Sequence, residues 1–344
     1  MTDAKSSGIA DRDPVDDATL ALLLEVAGTP KPGNVDRHRD LGDLHFESFL
    51  GGAIGARAGL ELAAIAGDAG DAGDASTGGG DDSPSLGRAF ERGVAGMADR
   101  AGTNTQFGCL LSLVPLLRAT AEGDLTPPGL DRVTRATTVD DAIAFYRAFE
   151  HVDVAVADPP ADADELDVRQ GVDAAPALRA RETTLRDVMA LSAGVGDSGP
   201  DGPERVPDRN AQEWVEGFPR TFRAAEWMLR DEGPLTDRAA RAFLGLLAAE
   251  PDTLVAANHG PETARETSER AAALLGGAHA VDSGPDGVAD PSDIDAAAVH
   301  DADLDAAEEL AAALVEEGIN PGTTADLVCA ALYVALRRGA EVSS

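Results

Sequence analysis

An all-α fold is predicted by the sequence, because apolar residues recur at three- and four-residue intervals along most of the 344-residue chain. Two such stripes, at 20–27 and 304–315, include charged residues between the apolar ones, as on helices that bury one face. Alternating patterns typical of strands are nearly absent, and only 152–157 shows a short one. We therefore expect a single domain of roughly ten helices over residues 15–340, after a flexible N-terminus at 1–14.

The same spacing predicts the individual helices. The two stripes predict one helix near the start of the chain and one near its end. Helical spacing also predicts helices at about 44–66, 85–100, 106–121, 139–150, 183–193, 210–231, 237–250, 262–276 and 323–338. Stretches rich in Gly, Pro and Asp separate some of them and predict flexible, solvated loops at 67–84, 157–176, 196–208 and 281–295.

The chain is strongly acidic, with 62 Asp and Glu against 28 Lys and Arg and a formal net charge of −34. This charge argues against a general binder of nucleic acids or of anionic membranes, because both surfaces would repel the protein. Only Lys5 and Lys31 are lysines, and aromatic residues make up 4% of the chain. We interpret the acidity as an adaptation to a salty cytoplasm, where salt screens self-repulsion, and not as a functional feature.

Cys109 and Cys329 both lie in apolar helical contexts, and we expect two buried thiols instead of a disulfide or a zinc site. No apolar run reaches the roughly 18 residues that a membrane-spanning helix needs. The first residues contain no apolar signal core. These patterns predict a cytoplasmic protein.

The first candidate site is a rigid loop after the first helix, TPKPGNVDRH at 29–38. A chain with almost no lysine retains Lys31 here, close to Arg37, which indicates a local anion site. Asp36 and Asp43 are candidate ligands for Mg²⁺, which prefers oxygen ligands. We expect Asp36 to be an exposed loop carboxylate. A stiff surface turn whose charges pair with one another is the structural alternative.

The second candidate segment, AGTNTQFG at 101–108, begins an apolar helix. Thr103, Asn104 and Thr105 are candidate substrate-binding residues, because a glycine-flanked helix start offers hydroxyls and free N–H groups to a phosphate or a ribose. Thr103 and Gln106 also have the spacing of a capping box, which is a sufficient structural explanation of the motif.

The third candidate segment, NPGTTADL at 320–327, begins the last predicted helix. The helical pattern does not explain the polar residues Asn320, Thr323 and Asp326 of this segment, and we expect Asn320 and Thr323 to bind a substrate. The structural alternative is again a helix cap, since Thr323 and Asp326 have cap spacing and an acid in a first helical turn interacts with the helix dipole.

Taken in this order, the motifs resemble those of the triphosphoribosyl-dephospho-coenzyme A synthase family. The similarity lies in TPKPGNVDR with Asp43, GTNT-x-x-G at 102–108, Asp252 with the nearby Asn-His-Gly at 258–260, and NPGTTADL. The resemblance implies an all-α enzyme that uses ATP as a substrate. Such enzymes move the 5-triphosphoribosyl group of ATP to the 2′-hydroxyl of 3′-dephospho-coenzyme A and release adenine.

The resemblance also implies the chemistry of the site. It makes Asp36, Asp43 and Asp326 the catalytic carboxylates, with Mg²⁺ on the first two, and leaves open which carboxylate is the base. Lys31 and Arg37 would contact the triphosphate. Carboxylates suit this reaction, because breaking the bond to adenine develops positive charge on the sugar. We expect the three carboxylates, Lys31 and Asn104 to line one cleft, since a shared substrate requires that convergence.

Some of the family's motif residues are replaced in this chain. Leu41 and Gly42 stand where the family has His and Lys, as do Gln106 and Phe107 in the central motif. No match to the family's Gly-x-Arg-Gly-Glu-Ala segment is present, and 210–218 is one of the two segments that stand in its place. Two alternatives therefore stay open, a related pentosyl or nucleotidyl transfer in the synthesis of another coenzyme (for example a pterin-type one-carbon carrier), and a non-catalytic nucleotide-binding protein.

Overall fold

The structure is a computed structural model, and it describes residues 12–66, 85–156, 163–194, 206–276 and 294–342. These ranges contain seventeen α-helices and no strand. The all-α prediction is confirmed, although the helices are shorter and more numerous than the roughly ten expected. In chain order they are α1 (Pro14–Ala27), α2 (Phe46–Gly55), α3 (Arg57–Ala63), α4 (Leu86–Ala101), α5 (Phe107–Ala121), α6 (Pro127–Arg135), α7 (Val139–Ala148), α8 (Ala175–Ala180), α9 (Leu185–Ser192), α10 (Arg209–Glu216), α11 (Pro219–Arg230), α12 (Leu235–Ala249), α13 (Thr253–His259), α14 (Pro261–Ala272), α15 (Ala296–His300), α16 (Leu304–Glu317) and α17 (Gly322–Arg337).

Two of the expected helices are divided. The helix expected at 44–66 is α2 and α3, which meet at Ala56. The helix expected at 210–231 is α10 and α11, because Gly217 and Phe218 both have positive φ and Pro219 begins the next helix. Apolar spacing does not reveal such a break when both halves bury the same face.

The loop predicted at 157–176 differs from the structure over its described residues 163–176, and 157–162 lie outside the described residues. Residues 163–176 contain two short 3₁₀ helices, Asp164–Leu166 and Val168–Ala174, followed by the start of α8. Leu166 and Ala174 are buried in the core, and they hold this segment in place although acidic residues surround them. The candidate strand at 152–157 is not formed over its described residues 152–156.

The other predicted loops lie mostly outside the described residues. This is the case for 67–84, for 196–205 of the loop predicted at 196–208, and for 281–293 of the loop predicted at 281–295. Residues 1–11 of the predicted N-terminal segment also lie outside them.

The last helix, α17, lies at the centre of the hydrophobic core. It packs against α1, α5, α11 and α12, and nearly all of its side chains are buried. A helix that is apolar on all sides must be covered on all sides, which explains its central position. Cys109 of α5 and Cys329 of α17 are buried free thiols, as expected.

The first and last helices are tied together at one end. Arg337, in the last turn of α17, donates to the carboxylate of Asp17 in α1 at 2.8 Å, and Arg12 donates to the same carboxylate at 2.7 Å. Asp17 is 4% exposed, so this ion pair is largely shielded from solvent. At the other end of the pair, Glu25 in the last turn of α1 is close enough to Asp326 in the first turns of α17 to raise its pKa. Because the start of α1 contacts the end of α17 and the end of α1 lies near the start of α17, the two helices run antiparallel.

Across the described ranges, no helix combines the length and the apolar character that crossing a bilayer requires.

Candidate active site

A cavity with a volume of about 950 Å³ lies where the three motif segments meet. Its wall includes Asn34 of the first segment, Asn104 of the second, and Asn320 and Asp326 of the third. The volume is near the upper end of the range typical of small-molecule and cofactor sites. Segments that are almost 300 residues apart in the sequence thus share one cavity.

The first and third segments are in direct contact. Gly33 has a φ of +70° and lies against the backbone carbonyl of Ile319, where an added Cβ would come within 2.1 Å of the oxygen. Next to it, the Asn34 side-chain amide donates to Oδ1 of Asn320 at 3.0 Å. Only glycine fits this approach, so Gly33 allows the two loops to form one wall of the cavity.

The second segment contacts the third through Gly108. A Cβ on Gly108 would lie 1.9 Å from Oδ2 of Asp326. Cys109 donates its thiol hydrogen to Oδ1 of Asp326 at 3.2 Å, and the Asn210 amide donates to Oδ2 at 2.9 Å. The carboxyl group of Asp326 is therefore held between the starts of α5, α10 and α17.

Burial raises the pKa of Asp326 to about 7, although its hydrogen bonds from Asn210 and Cys109 lower it. The negative charges of Glu25 and Asp252 raise it further. A carboxyl group with a pKa near neutrality is able to accept and return a proton at physiological pH, which is the property required of a general base.

Lys31 does not line the cavity. It is 2% exposed, and its ammonium group forms an ion pair with Glu25 and a 3.4 Å hydrogen bond to Asn34. Glu25 does line the cavity, and burial raises the pKa of its carboxyl group while Lys31 lowers it. The lysine thus neutralises a buried carboxylate, and the structure does not place it as a phosphate ligand.

Asp36 also lies outside the cavity wall, and it is fully buried, not exposed as expected. Its Oδ2 accepts hydrogen bonds from Thr29 at 2.8 Å and Arg39 at 2.7 Å, and its Oδ1 accepts one from the backbone of His38 at 2.8 Å. These donors satisfy both oxygens, so Asp36 holds the shape of the loop.

Arg37 is exposed in the turn at the end of the loop and Asp43 in the next turn, and neither lines the cavity. Arg37 donates to the ring of its neighbour His38 at 3.3 Å. The expected pair of Asp36 and Asp43 does not fit a resident Mg²⁺, because the oxygens of Asp36 are already bonded and the cationic Arg39 occupies one of them. Among the described residues, no group of three or more His, Cys, Asp and Glu is arranged to hold a metal ion.

The remaining predicted binding residues, Thr103, Asn104, Thr105, Asn320 and Thr323, all line the cavity. The expected capping box of Thr103 and Gln106 is not formed, and Oδ1 of Asn104 instead accepts from the backbone of Phe107 at 3.2 Å. Oγ1 of Thr105 is buried and has no hydrogen-bond partner in the described chain.

Asp252, another motif residue, has a structural role. Its Oδ1 accepts from the first backbone N–H groups of α13, and its Oδ2 accepts from the backbone and hydroxyl of Thr324 at 2.7 and 2.8 Å. The carboxylate thereby joins the starts of α13 and α17. His259 is exposed and contacts the carbonyl of Gly318 at 3.1 Å, whereas its neighbour Asn258 lines the cavity.

One side of the cavity is aromatic. The ring of Phe149 lies 4.9 Å from that of Phe107 and 5.3 Å from that of Phe145, and Tyr146 is adjacent. The polar side carries carboxylates, and no Lys or Arg is found among the described residues of the wall. The site therefore combines an apolar, aromatic side with an acidic one.

Sequence reasoning missed two functional candidates in this wall, Glu25 and Asn210. Glu25 stands within a helical stripe, where a single acid is normally solvent-facing, and the only signal was its place in the apolar run LLLEVA. Asn210 begins a helix and has no glycine or proline next to it to mark a functional turn.

A protein-family model described as CitG: ATP:dephospho-CoA triphosphoribosyl transferase matches residues 11–343. Among solved structures, one from Archaeoglobus fulgidus, provisionally described as a triphosphoribosyl-dephospho-CoA synthase, aligns with a TM-score of 0.55. The alignment covers 84% of this chain and 99% of that chain at 21% identity, which shows a shared fold. None of the curated proteins matches this chain.

Proposed function

The chain belongs to the CitG family of ATP:dephospho-CoA triphosphoribosyl transferases, and we propose that it performs this transfer in the 950 Å³ cavity with Asp326 as the general base. The observation that carries the assignment is the placement of Asp326. It is the only one of the three carboxylates predicted as catalytic that lines the cavity, and its pKa is near neutrality. Family membership favours this transfer over the two alternatives left open by the sequence.

In the proposed reaction, the 2′-oxygen of dephospho-CoA forms a bond to C1′ of the ATP ribose, and the bond from C1′ to adenine breaks. The proton of the attacking hydroxyl passes to Asp326. Adenine leaves with a proton taken up in its place, so the net reaction neither releases nor consumes one. The acidic wall stabilises the positive charge that develops on the sugar.

The two sides of the cavity suit the parts of these substrates. The rings of Phe107, Phe145 and Phe149 offer faces on which an adenine base packs. The hydroxyl and amide groups of the wall are suited to the ribose and phosphate oxygens. We assign this role to the wall residues Thr103, Asn104, Thr105, Asn320 and Thr323.

We propose that Mg²⁺ enters the site bound to ATP and is not held by a dedicated set of side chains. Mg²⁺ is normally bound through substrate phosphates and one or two carboxylates. The described wall contributes carboxylates but no Lys or Arg, so a bare triphosphate would be repelled there. The cytoplasmic location expected from the sequence also remains a proposal.

The test is adenine release from Mg·ATP in the presence of dephospho-CoA, followed by chromatography. Asp326→Asn is expected to lower kcat by about 10²- to 10⁴-fold at pH 7, the usual contribution of a general base. Asp43→Asn, which alters an exposed carboxylate outside the cavity, is expected to retain activity. Loss of activity in Asp43→Asn together with retention in Asp326→Asn would refute the assignment.

A further inference from the structure

Asp208 is a carboxyl group of the cavity wall that none of the sequence motifs includes. It is the N-cap of α10, where its Oδ1 accepts from the backbone N–H of Ala211 at 3.1 Å. The residue is partly accessible and lines the cavity. Two residues further on, Asn210 donates to the carboxyl group of Asp326, so the start of α10 helps to place both carboxyl groups.

The surroundings of Asp208 favour its neutral, protonated form. Burial raises the pKa of its carboxyl group, and the negative charge of Asp252 raises it further. The first backbone N–H groups of α10 and the charge of Arg209 lower this pKa, but the net shift is upward. Among the described residues, no side chain donates a hydrogen bond to Asp208. A carboxyl group with a raised pKa in a cavity wall is a candidate general acid.

The other carboxyl groups of the described wall, apart from the proposed base, are suited to the charged form. Glu25 forms an ion pair with Lys31. Asp167 accepts from the arginine two residues further on, which lowers the pKa of its carboxyl group. Asp153 is exposed, and water stabilises the charge of an exposed carboxylate. Asp208 is thus the wall carboxyl group best suited to hold a proton for transfer to a substrate.

The proposed reaction requires a proton on the departing base, because adenine leaves much more readily as a neutral molecule than as an anion. We propose that Asp208 is the general acid of the transfer. Its carboxyl proton passes to a ring nitrogen of adenine as the bond from C1′ breaks, while Asp326 takes the proton of the attacking 2′-hydroxyl. Asp208 then regains a proton from solvent and Asp326 releases one, so the protons balance. This inference rests on the proposed function.

The test separates proton donation from helix capping. Asparagine caps a helix as well as aspartate does, whereas glutamate is a poorer cap that retains an acidic proton. Asp208→Asn is therefore expected to lower kcat for adenine release about 10²- to 10⁴-fold with a nearly native melting temperature. Asp208→Glu is expected to melt lower and yet to keep more activity than Asp208→Asn. The matched control is Asp303→Asn, at the N-cap of α16 outside the cavity wall, which should retain native activity and melting.

A donor with an activated leaving group provides a second readout. The probe is the 5-triphosphate of p-nitrophenyl riboside, because p-nitrophenolate leaves without being protonated. With this donor, Asp208→Asn is expected to be within about tenfold of the native rate, since no general acid is needed. Asp326→Asn is expected to stay slow with both donors, because the attacking hydroxyl must still lose its proton.

Three results would overturn the inference: adenine release by Asp208→Asn at the native rate, equal slowing of Asp208→Asn with both donors, or activities of the Asn and Glu variants that follow their melting temperatures. If the native chain releases no adenine from Mg·ATP and dephospho-CoA, the proposed function itself is wrong, and the inference falls with it.

Discussion

Replacing Gly108 by alanine would test whether the position of Asp326 determines the rate. The added Cβ would lie 1.9 Å from Oδ2 of Asp326 and 2.6 Å from Nδ2 of Asn210. A carbon needs roughly 3.4 Å or more from either atom, since non-bonded heavy atoms prefer about 3.5–4.0 Å. The carboxyl group must therefore move by more than about 1 Å, and its hydrogen bond from Asn210 is disturbed.

The expected effects on stability and on rate differ in size. The clash falls mainly on the ends of side chains that are able to shift, and alanine gains about 1 kcal/mol of helix propensity over glycine in α5. Overpacking of a well-packed site costs about 1–3 kcal/mol, so the free energy of unfolding should fall by no more than about 2 kcal/mol. A displacement of about 1 Å at a reacting group lowers kcat about 10²-fold.

The assay measures adenine release and the melting curve of Gly108→Ala, with Gly51→Ala as the matched control. Gly51 is also a helical glycine, but its added Cβ would come no closer than 3.5 Å to the atoms that pack against its helix. The control is expected to keep its kcat. A Gly108→Ala enzyme with kcat within about threefold of the native value would show that the position of Asp326 does not limit the reaction.

Three further predictions concern the buried charges. The pKa of Asp326, raised by burial to about 7, predicts that kcat/KM rises with pH through an apparent pKa near 7, and a flat pH–rate profile would contradict this. Because the pKa in the folded state lies above the 3.8 of an ordinary Asp side chain, the stability contributed by this group is full below about pH 4 and is lost as the pH rises through 7. Asp326→Asn should therefore melt at a higher temperature than the native chain at pH 8. Asp36→Asn should lower the free energy of unfolding, measured by calorimetry, by about 1–3 kcal/mol, because the carboxylate is buried among hydrogen-bond donors. Asp43→Asn, at an exposed position, should change it by less than about 0.5 kcal/mol. Equal melting temperatures of the two variants would be inconsistent with the buried position of Asp36. Lys31→Met should lower the free energy of unfolding by about 3–5 kcal/mol in urea titrations, because it leaves the buried Glu25 without its ion-pair partner. Adding Glu25→Gln to the same chain should restore much of that free energy. A Lys31→Met enzyme with native stability and weakened ATP affinity would instead make Lys31 a phosphate ligand.

The sequence predicted the helical class and the meeting of distant segments, but not the direction of each side chain. Asn104, Asn320 and Asp326 share the cavity because glycines at 33 and 108 permit close approaches, and these glycines are visible in the motifs. The orientation of a loop carboxylate is not visible in this way. Asp36 turns inward because nearby residues of its own loop supply its donors, and the same composition would equally suit an exposed turn.

Glu25 and Asn210 show the complementary difficulty. Each stands within a helical pattern, and its functional position depends on which neighbouring helix end lies opposite. For Glu25 in α1 that neighbour is the start of α17. For Asn210 in α10 it is also the start of α17, where the Asp326 carboxyl group accepts its hydrogen bond. Such pairings depend on the packing of helices that are distant in the sequence, and local periodicity carries no information about them.

Because α1 and α17 pack antiparallel, Glu25 and Asp326 lie at one end of this helix pair. The ion pair of Asp17 and Arg337 lies at the other end. At 1.5 Å per residue, about 12 Å of α1 separates Asp17 from Glu25. The separation between Glu25 and Asp326, and with it one of the smaller contributions to the pKa of Asp326, is thus a property of two core helices. The loops around the cavity are therefore free to diverge toward new acceptors while the two acids stay in place, whereas an exchange at Asp17 would remove the ion pair that joins the far ends of both helices.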